Sequence, residues 1–175
     1  MDRGQLARVI HRRAHLTGNF VLRSGVTSTE YFDKYLFESD PELLTAIAEA
    51  MAELVPTSTD ALAGLELGGV PLAVALSRVT GLPALFVRKT AKEYGTRRLA
   101  EGGEVAGRRL TVVEDVVTSG GQVVQSCAAL RELGAEVTTA LCVIDREAGG
   151  TEALAAEGIG LAALYRMGEL TAASL

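Results

Sequence analysis

No uncharged apolar run in the sequence approaches the roughly 20 residues that a bilayer-spanning helix needs, and the opening MDRGQLARVIHRRAH lacks the apolar stretch of a signal peptide. A soluble, cytoplasmic protein with no membrane partner is therefore expected. Cysteine is scarce: Cys127 and Cys142 stand apart in apolar segments, with neither CxxC spacing nor a Cys/His cluster, so buried free thiols are expected rather than a disulfide or a zinc site. An excess of positive charge is also missing. Lys and Arg number 17 against 22 Asp and Glu, a net charge of -5, which argues against a nucleic-acid partner bound through bulk charge. Lysine is the rarest charged type, with Lys34, Lys89 and Lys92 the only three among the 17 basic residues, so lysine positions carry more information than arginine positions. His11 and His15 are the only histidines and have no third ligand nearby, so no metal site built by the protein itself is expected. Repeats, low-complexity tracts and interdomain linkers are absent too.

What is present is a chain of 175 residues, 48% hydrophobic, long enough for one domain that hides roughly 70% of its unfolded surface. A helix is predicted over Gln5 to Leu16, closed by Gly18, followed by short strands at Phe20 to Arg23 and Glu30 to Phe37. Asp40 and Pro41 open a helix reaching about Leu54, as N-cap and first helical residue. Ala61 to Leu65 reads as a strand, Pro71 to Val79 as a helix, Ala84 to Val87 and Leu110 to Val113 as strands, Gly121 to Leu133 as a helix and Val137 to Ile144 as a strand. These strands are continuous apolar runs, as in a parallel sheet covered on both faces. The pattern predicts an α/β, doubly wound, mainly parallel fold. Residues 88 to 109 interrupt it with a polar, charged loop of the length that is usually functional or mobile.

The most informative segment is LTVVEDVVTSGGQ, residues 110–122. An apolar strand ends in Glu114 and Asp115, passes Val116 and Val117, and turns through Thr118, Ser119, Gly120, Gly121 and Gln122 into a helix. Backbone N–H groups at that helix start suit a phosphate, and two acids at the end of a buried strand are costly unless they meet a partner such as sugar hydroxyls. No Gly-Lys-Ser/Thr of a nucleoside-triphosphate loop occurs, and the Gly158/Gly160 pair reads as a turn.

This segment resembles the phosphoribosyl-pyrophosphate (PRPP) signature of the type I phosphoribosyltransferases, and three further segments resemble the orotate phosphoribosyltransferases in particular. FVLRSG at 20–25 with STEYFD at 28–33 resembles their amino-terminal hairpin, in which Tyr31 and Phe32 lie on opposite faces of a strand and Arg23 supplies a cation. FVRKTAKEYG at 86–95 resembles their mobile catalytic loop. Five cations, Arg88, Lys89, Lys92, Arg97 and Arg98, fall there within eleven residues against Glu93, suited to neutralising a pyrophosphate leaving group. GLELGGVP at 64–71 resembles the pyrophosphate turn, with Gly68 and Gly69 allowing close approach of backbone amides. In VIDRE at 143–147, Arg146 offers a guanidinium fork suited to a carboxylate.

The resemblance implies a small amino-terminal hood over about residues 1–37, a flexible loop over about 88–109 and a homodimer in which that loop crosses the interface. It also implies PRPP held by Arg23, Gly68, Gly69, Arg88, Lys89, Lys92, Tyr94 and residues 114–122, with Lys92, Lys89 and Arg88 catalytic. Orotate would lie among Tyr31, Phe32, Thr118 and Arg146, and Mg²⁺ would enter on the diphosphate. Two departures stand out: Gly68 where the family often has Lys, leaving backbone amides for the anion, and Tyr94 where the family often has His. A phosphoribosyltransferase for a purine or another base and a non-catalytic ligand-sensing regulator are the alternatives on the same fold.

Overall fold

The computed structural model describes residues 1–22, 24–95 and 98–174. Its centre is a six-stranded sheet built from β3 (Ala61–Leu65), β4 (Ala84–Val87), β5 (Ala100–Glu101), β6 (Arg109–Val117), β7 (Glu136–Asp145) and β8 (Gly160–Arg166), in the order β5-β4-β3-β6-β7-β8. All neighbours are parallel except β5, which runs antiparallel to β4. The apolar strands carry alternate side chains to two cores, as a pleat requires. Leu62, Val113 and Leu141 meet α1 (Arg3–Ala14), α3 (Pro41–Ala52), α4 (Gly69–Thr80) and α7 (Met167–Ala173) on one face. Ala61, Ala63 and Val112 meet α5 (Gly121–Glu132) and α6 (Gly150–Ala156) on the other. Among the described residues no helix is long and apolar enough to cross a membrane.

The strand order reverses between β3 and β6, so the turns leaving these two strands diverge and open a crevice at their carboxyl ends. Beside the sheet, β1 (His15–Val21) and β2 (Thr27–Phe32) form a separate antiparallel hairpin. The Tyr165 hydroxyl, which donates to the Arg3 carbonyl at 2.7 Å, ties α1 to the sheet edge.

The sheet strands β3, β4, β6 and β7 fall where the apolar runs place them, β5 and β8 match no range predicted from the sequence, and the other differences lie mainly at the amino end. The first helix starts earlier than predicted because Asp2 and Gln5 form a reciprocal capping box. It stops at Ala14, so Leu16 and Gly18 belong to β1, and Gly18 does not close a helix. The predicted strand through Phe37 ends at Phe32. The Asp33 carboxylate accepts from the Tyr35 N–H at 3.1 Å and starts the short helix α2 (Tyr35–Glu38), which buries Phe37. Residues 88–109 are not one loop: β5 pairs with β4 within them, and β6 begins at Arg109 and runs on to Val117.

Candidate functional site

Two turns frame the crevice at the switch point. After β6, Thr118 to Gly120 lead into α5, with Gly120 at φ +79 as its N-cap, a conformation that glycine adopts without strain. After β3, Glu66 and Leu67 lead through Gly68 into α4. Between the turns lies a cleft of about 350 Å³ whose walls include Lys34, Tyr35, Glu66, Leu67, Lys89, Glu114 and residues 116–122. The amides of the first turn of α5 therefore open onto a space that also presents two lysines and two acids, a setting for a phosphorylated sugar.

Consecutive residues of β6 point to opposite sides. Glu114 lines the cleft, whereas Asp115, expected beside it on the sugar, is fully buried behind it. Lys34 Nζ lies 2.6 Å from Asp115 Oδ2, and Glu38, itself buried, faces the same carboxylate. Burial, then the neighbouring Asp115, pushes the Glu38 and Glu114 carboxyls far above the usual carboxylate range. Burial pulls Lys34 down, but its hydrogen bond to Asp115 and the nearby acids outweigh this and raise its pKa. Gly68 sits against this cluster. A Cβ there would overlap the Asp115 carboxylate and lie 2.9 Å from Glu38 Oε1. A Cβ at Gly69 would overlap the Val113 carbonyl. Anion binding at the Gly68 turn is expected to rest on backbone amides, and Lys34 from the β2–α2 link also lines the cleft beside Glu66 and Leu67.

The charged loop divides. Lys89 lines the cleft, and its N–H donates to Glu66 Oε2 at 3.0 Å. Lys92 and Arg88, expected on the pyrophosphate, are held instead by Glu101 of β5. Lys92 Nζ is 2.6 Å and Arg88 Nε 3.6 Å from Glu101 Oε1. Lys92 also lies 5.9 Å above the ring of the exposed Tyr94. Arg98 pairs with Glu104 at 3.1 Å. Arg23 and Arg97 lie outside the described residues.

Tyr31, Phe32 and Arg146 come together in a second cleft of about 570 Å³, whose walls also include His11, His15 and Glu30. Phe32 leans toward the core, 6.5 Å from the Phe37 ring, while Tyr31 stays 44% exposed, 5.5 Å from the Phe20 ring. Thr118, expected with them, lines the first cleft. The two clefts meet through the backbone: the Arg146 N–H donates to the Val117 carbonyl at 2.9 Å. Asp145 and Glu147 do not occupy Arg146. Asp145 accepts from the Glu147 N–H at 2.8 Å and from the Thr151 hydroxyl at 3.0 Å, and Glu147 accepts from the Gly168 N–H at 3.0 Å.

Sequence reasoning singled out neither Lys34 nor Glu38 nor Glu101 as a site residue. Lysine scarcity was a usable signal for Lys34; the two acids had none, because their partners come from distant segments.

Comparison with known proteins agrees with this geometry. The phosphoribosyl transferase domain family model matches residues 37–157. An orotate phosphoribosyltransferase of a Nocardioides species is 55% identical over 168 residues, covering 96% of this chain and 94% of the relative. One from Halobacterium salinarum is 50% identical over 153 residues, 87% of each chain. The crystal structure of Mycobacterium tuberculosis orotate phosphoribosyltransferase in complex with PRPP superposes with a TM-score of 0.84 at 30% identity, over 98% of this chain and 99% of that one. An adenine phosphoribosyltransferase from Thermoanaerobacter pseudethanolicus, 17% identical with a TM-score of 0.71, shares the fold. With its switch-point cleft, its glycine turn into α5 and these relatives, the chain belongs to the phosphoribosyl transferase family and, within it, to the orotate phosphoribosyltransferases.

Proposed function

We propose that the two adjoining clefts divide the substrates of orotate phosphoribosyl transfer between them, PRPP in the first and orotate in the second. The reaction forms a bond from N1 of orotate to C1 of the ribose and breaks the bond from C1 to the diphosphate oxygen, giving orotidine 5'-monophosphate and pyrophosphate in pyrimidine nucleotide synthesis. In this reading the amides and hydroxyls of Thr118 to Gln122 hold the 5'-phosphate, and Glu114 accepts from the ribose hydroxyls. The buried position of Asp115 leaves it behind that contact. Arg146 pairs with the orotate carboxylate, and the exposed face of Tyr31 lies along the pyrimidine ring. The observation that carries the reading is the hydrogen bond from the Arg146 N–H to the Val117 carbonyl. It fixes the carboxylate-binding arginine to the strand end that leads into the phosphate turn, so base and sugar are positioned by one rigid element.

As C1 loses its bond to the diphosphate, negative charge grows on the leaving group. Lys89 meets it at the wall of the cleft, and Lys92 and Arg88 meet it once they leave Glu101. The cleft offers carboxyl oxygens from Glu66 and Glu114, hard donors of the kind that suit Mg²⁺ and its waters, and a cation there would favour the charged form of Glu114 that burial disfavours. Bound on the diphosphate, the ion would neutralise part of its charge, with Glu66 and Glu114 holding its water shell. The family resemblance implies a homodimer in which the loop serves the neighbouring site, and Lys92, paired with Glu101 outside its own chain's cleft, would reach that site on leaving this pair. A cytoplasmic location suits substrates too highly charged to cross a membrane unaided.

The test is an ultraviolet assay with PRPP and magnesium, following loss of orotate beside adenine, hypoxanthine, xanthine and uracil. Orotate alone should be consumed. Consumption of a purine alone would remove Arg146 from its role.

A further inference from the structure

We propose that Lys34 is a further cation of the pyrophosphate site, aimed into the cleft by the buried carboxylate of Asp115. The inference rests on the substrate reading above and extends it to a residue outside the signature turns. Lys34 lies on the link between β2 and α2, and its Nζ is 2.6 Å from Asp115 Oδ2. The two side chains differ in exposure: Asp115 is wholly buried, whereas a third of the Lys34 side chain remains open. An ammonium carries three donors. Its ion pair with the buried acid cannot occupy all three, and Lys34 also forms the cleft wall with Glu66, Leu67 and Lys89.

That arrangement depends on Gly68. Any side chain there would collide with the Asp115 carboxylate, and the missing Cβ lets the carboxylate sit under the turn and hold Lys34 beside it. Glu38 closes the other side of Asp115, and its preference for the neutral form leaves Lys34 as the cation that balances this buried anion. With Arg88 and Lys92 drawn away to Glu101, Lys34 and Lys89 are the two lysines that the cleft already presents to an incoming diphosphate. The position of Lys34, next to the Glu66–Leu67 turn, points to the diphosphate end of PRPP.

Calorimetric titration with magnesium pyrophosphate and, separately, with orotidine 5'-monophosphate tests this on the parent protein, Lys34→Gln and Lys34→Arg. Gln keeps a donor toward Asp115 while removing the charge. Lys34→Gln should weaken pyrophosphate binding about tenfold or more, as loss of a charge-assisted contact does. It should leave the nucleotide within about twofold, a change of under a third of the free energy of a tenfold step. Lys34→Arg should recover most of the pyrophosphate affinity. Unchanged pyrophosphate binding, or equal weakening of both ligands, overturns the proposal, the second because general damage to the site would produce it. If Lys34→Gln does not fold, Asp115→Asn is compared with Lys34→Gln/Asp115→Asn, which leaves no buried unpaired charge. The double variant should lose further pyrophosphate affinity, and no further loss overturns the proposal. A parent that binds neither ligand overturns the substrate reading itself.

Discussion

Gly68 has no room for a side chain because the Asp115 carboxylate occupies the place where its Cβ would stand, with Glu38 Oε1 close by. Gly68→Ala must therefore displace a buried, ion-paired acid. It should cost roughly 1–3 kcal/mol, the usual range for overpacking a filled interior, read as a lower midpoint in urea unfolding. The same cluster gives a pH signature. Glu38 faces Asp115 and Glu114 on β6 and Lys34 on the link before its own helix. Burial raises its folded pKa from an ordinary 4.5 to about 9. A carboxyl with a raised folded pKa binds its proton more tightly in the folded state, so the contribution of Glu38 to stability is greatest below pH 4.5 and is lost as the pH climbs toward 9. Glu38→Gln removes that titration. Its thermal midpoint relative to the parent should rise from pH 5 to pH 9; a difference that stays flat across that span would contradict a neutral Glu38. The sequence made Glu114 and Thr118 to Gln122 legible, because strand, turn and helix start are contiguous. It could not reveal that Asp115 turns inward to Lys34 and Glu38, which arrive from another part of the chain.

The loop between β4 and β6 is less uniform than its composition indicates. Charge and glycine content mark residues 88–109 as irregular, yet Phe86 and Val87 pair with Glu101 and Ala100, and Glu101 gathers Arg88 and Lys92. A two-residue strand leaves no periodicity to read, so β5 was invisible in the sequence, as was the short helix α2 behind Asp33. The sheet strands were readable for the opposite reason: strands buried on both faces keep one apolar character for their whole length. The Lys92–Glu101 pair is partly covered, with about a quarter of each side chain exposed, and Arg88 stays beside Glu101 when Lys92 is removed, so the acid keeps a cation. Lys92→Ala should therefore leave the thermal midpoint within roughly 2 °C of the parent. Its kcat/KM should fall on the order of 100-fold, as loss of a donor to a developing anion does. An unchanged kcat/KM would remove this element from the reaction.

For the whole molecule, the decisive matter is which chain receives the loop. If Lys92 serves the site of a second copy, a site assembled from two chains needs Arg146 from one and Lys92 from the other. Inactive Lys92→Ala and inactive Arg146→Ala proteins, unfolded and refolded together, would then form mixed dimers in which one site carries both substitutions and the other carries neither. Random assembly makes about half of the dimers mixed, each with one native site, so about one quarter of the parent activity should return. If the loop closes over its own chain instead, every site in the mixture keeps one defect and no activity returns. A second outcome follows from the same geometry. The rebuilt site has unaltered residues throughout, so its KM for orotate should equal that of the parent, and the loss should appear entirely in the maximal rate per chain. Recovery with an altered KM would mean that the two sites influence each other, which independent clefts on separate sheets do not require.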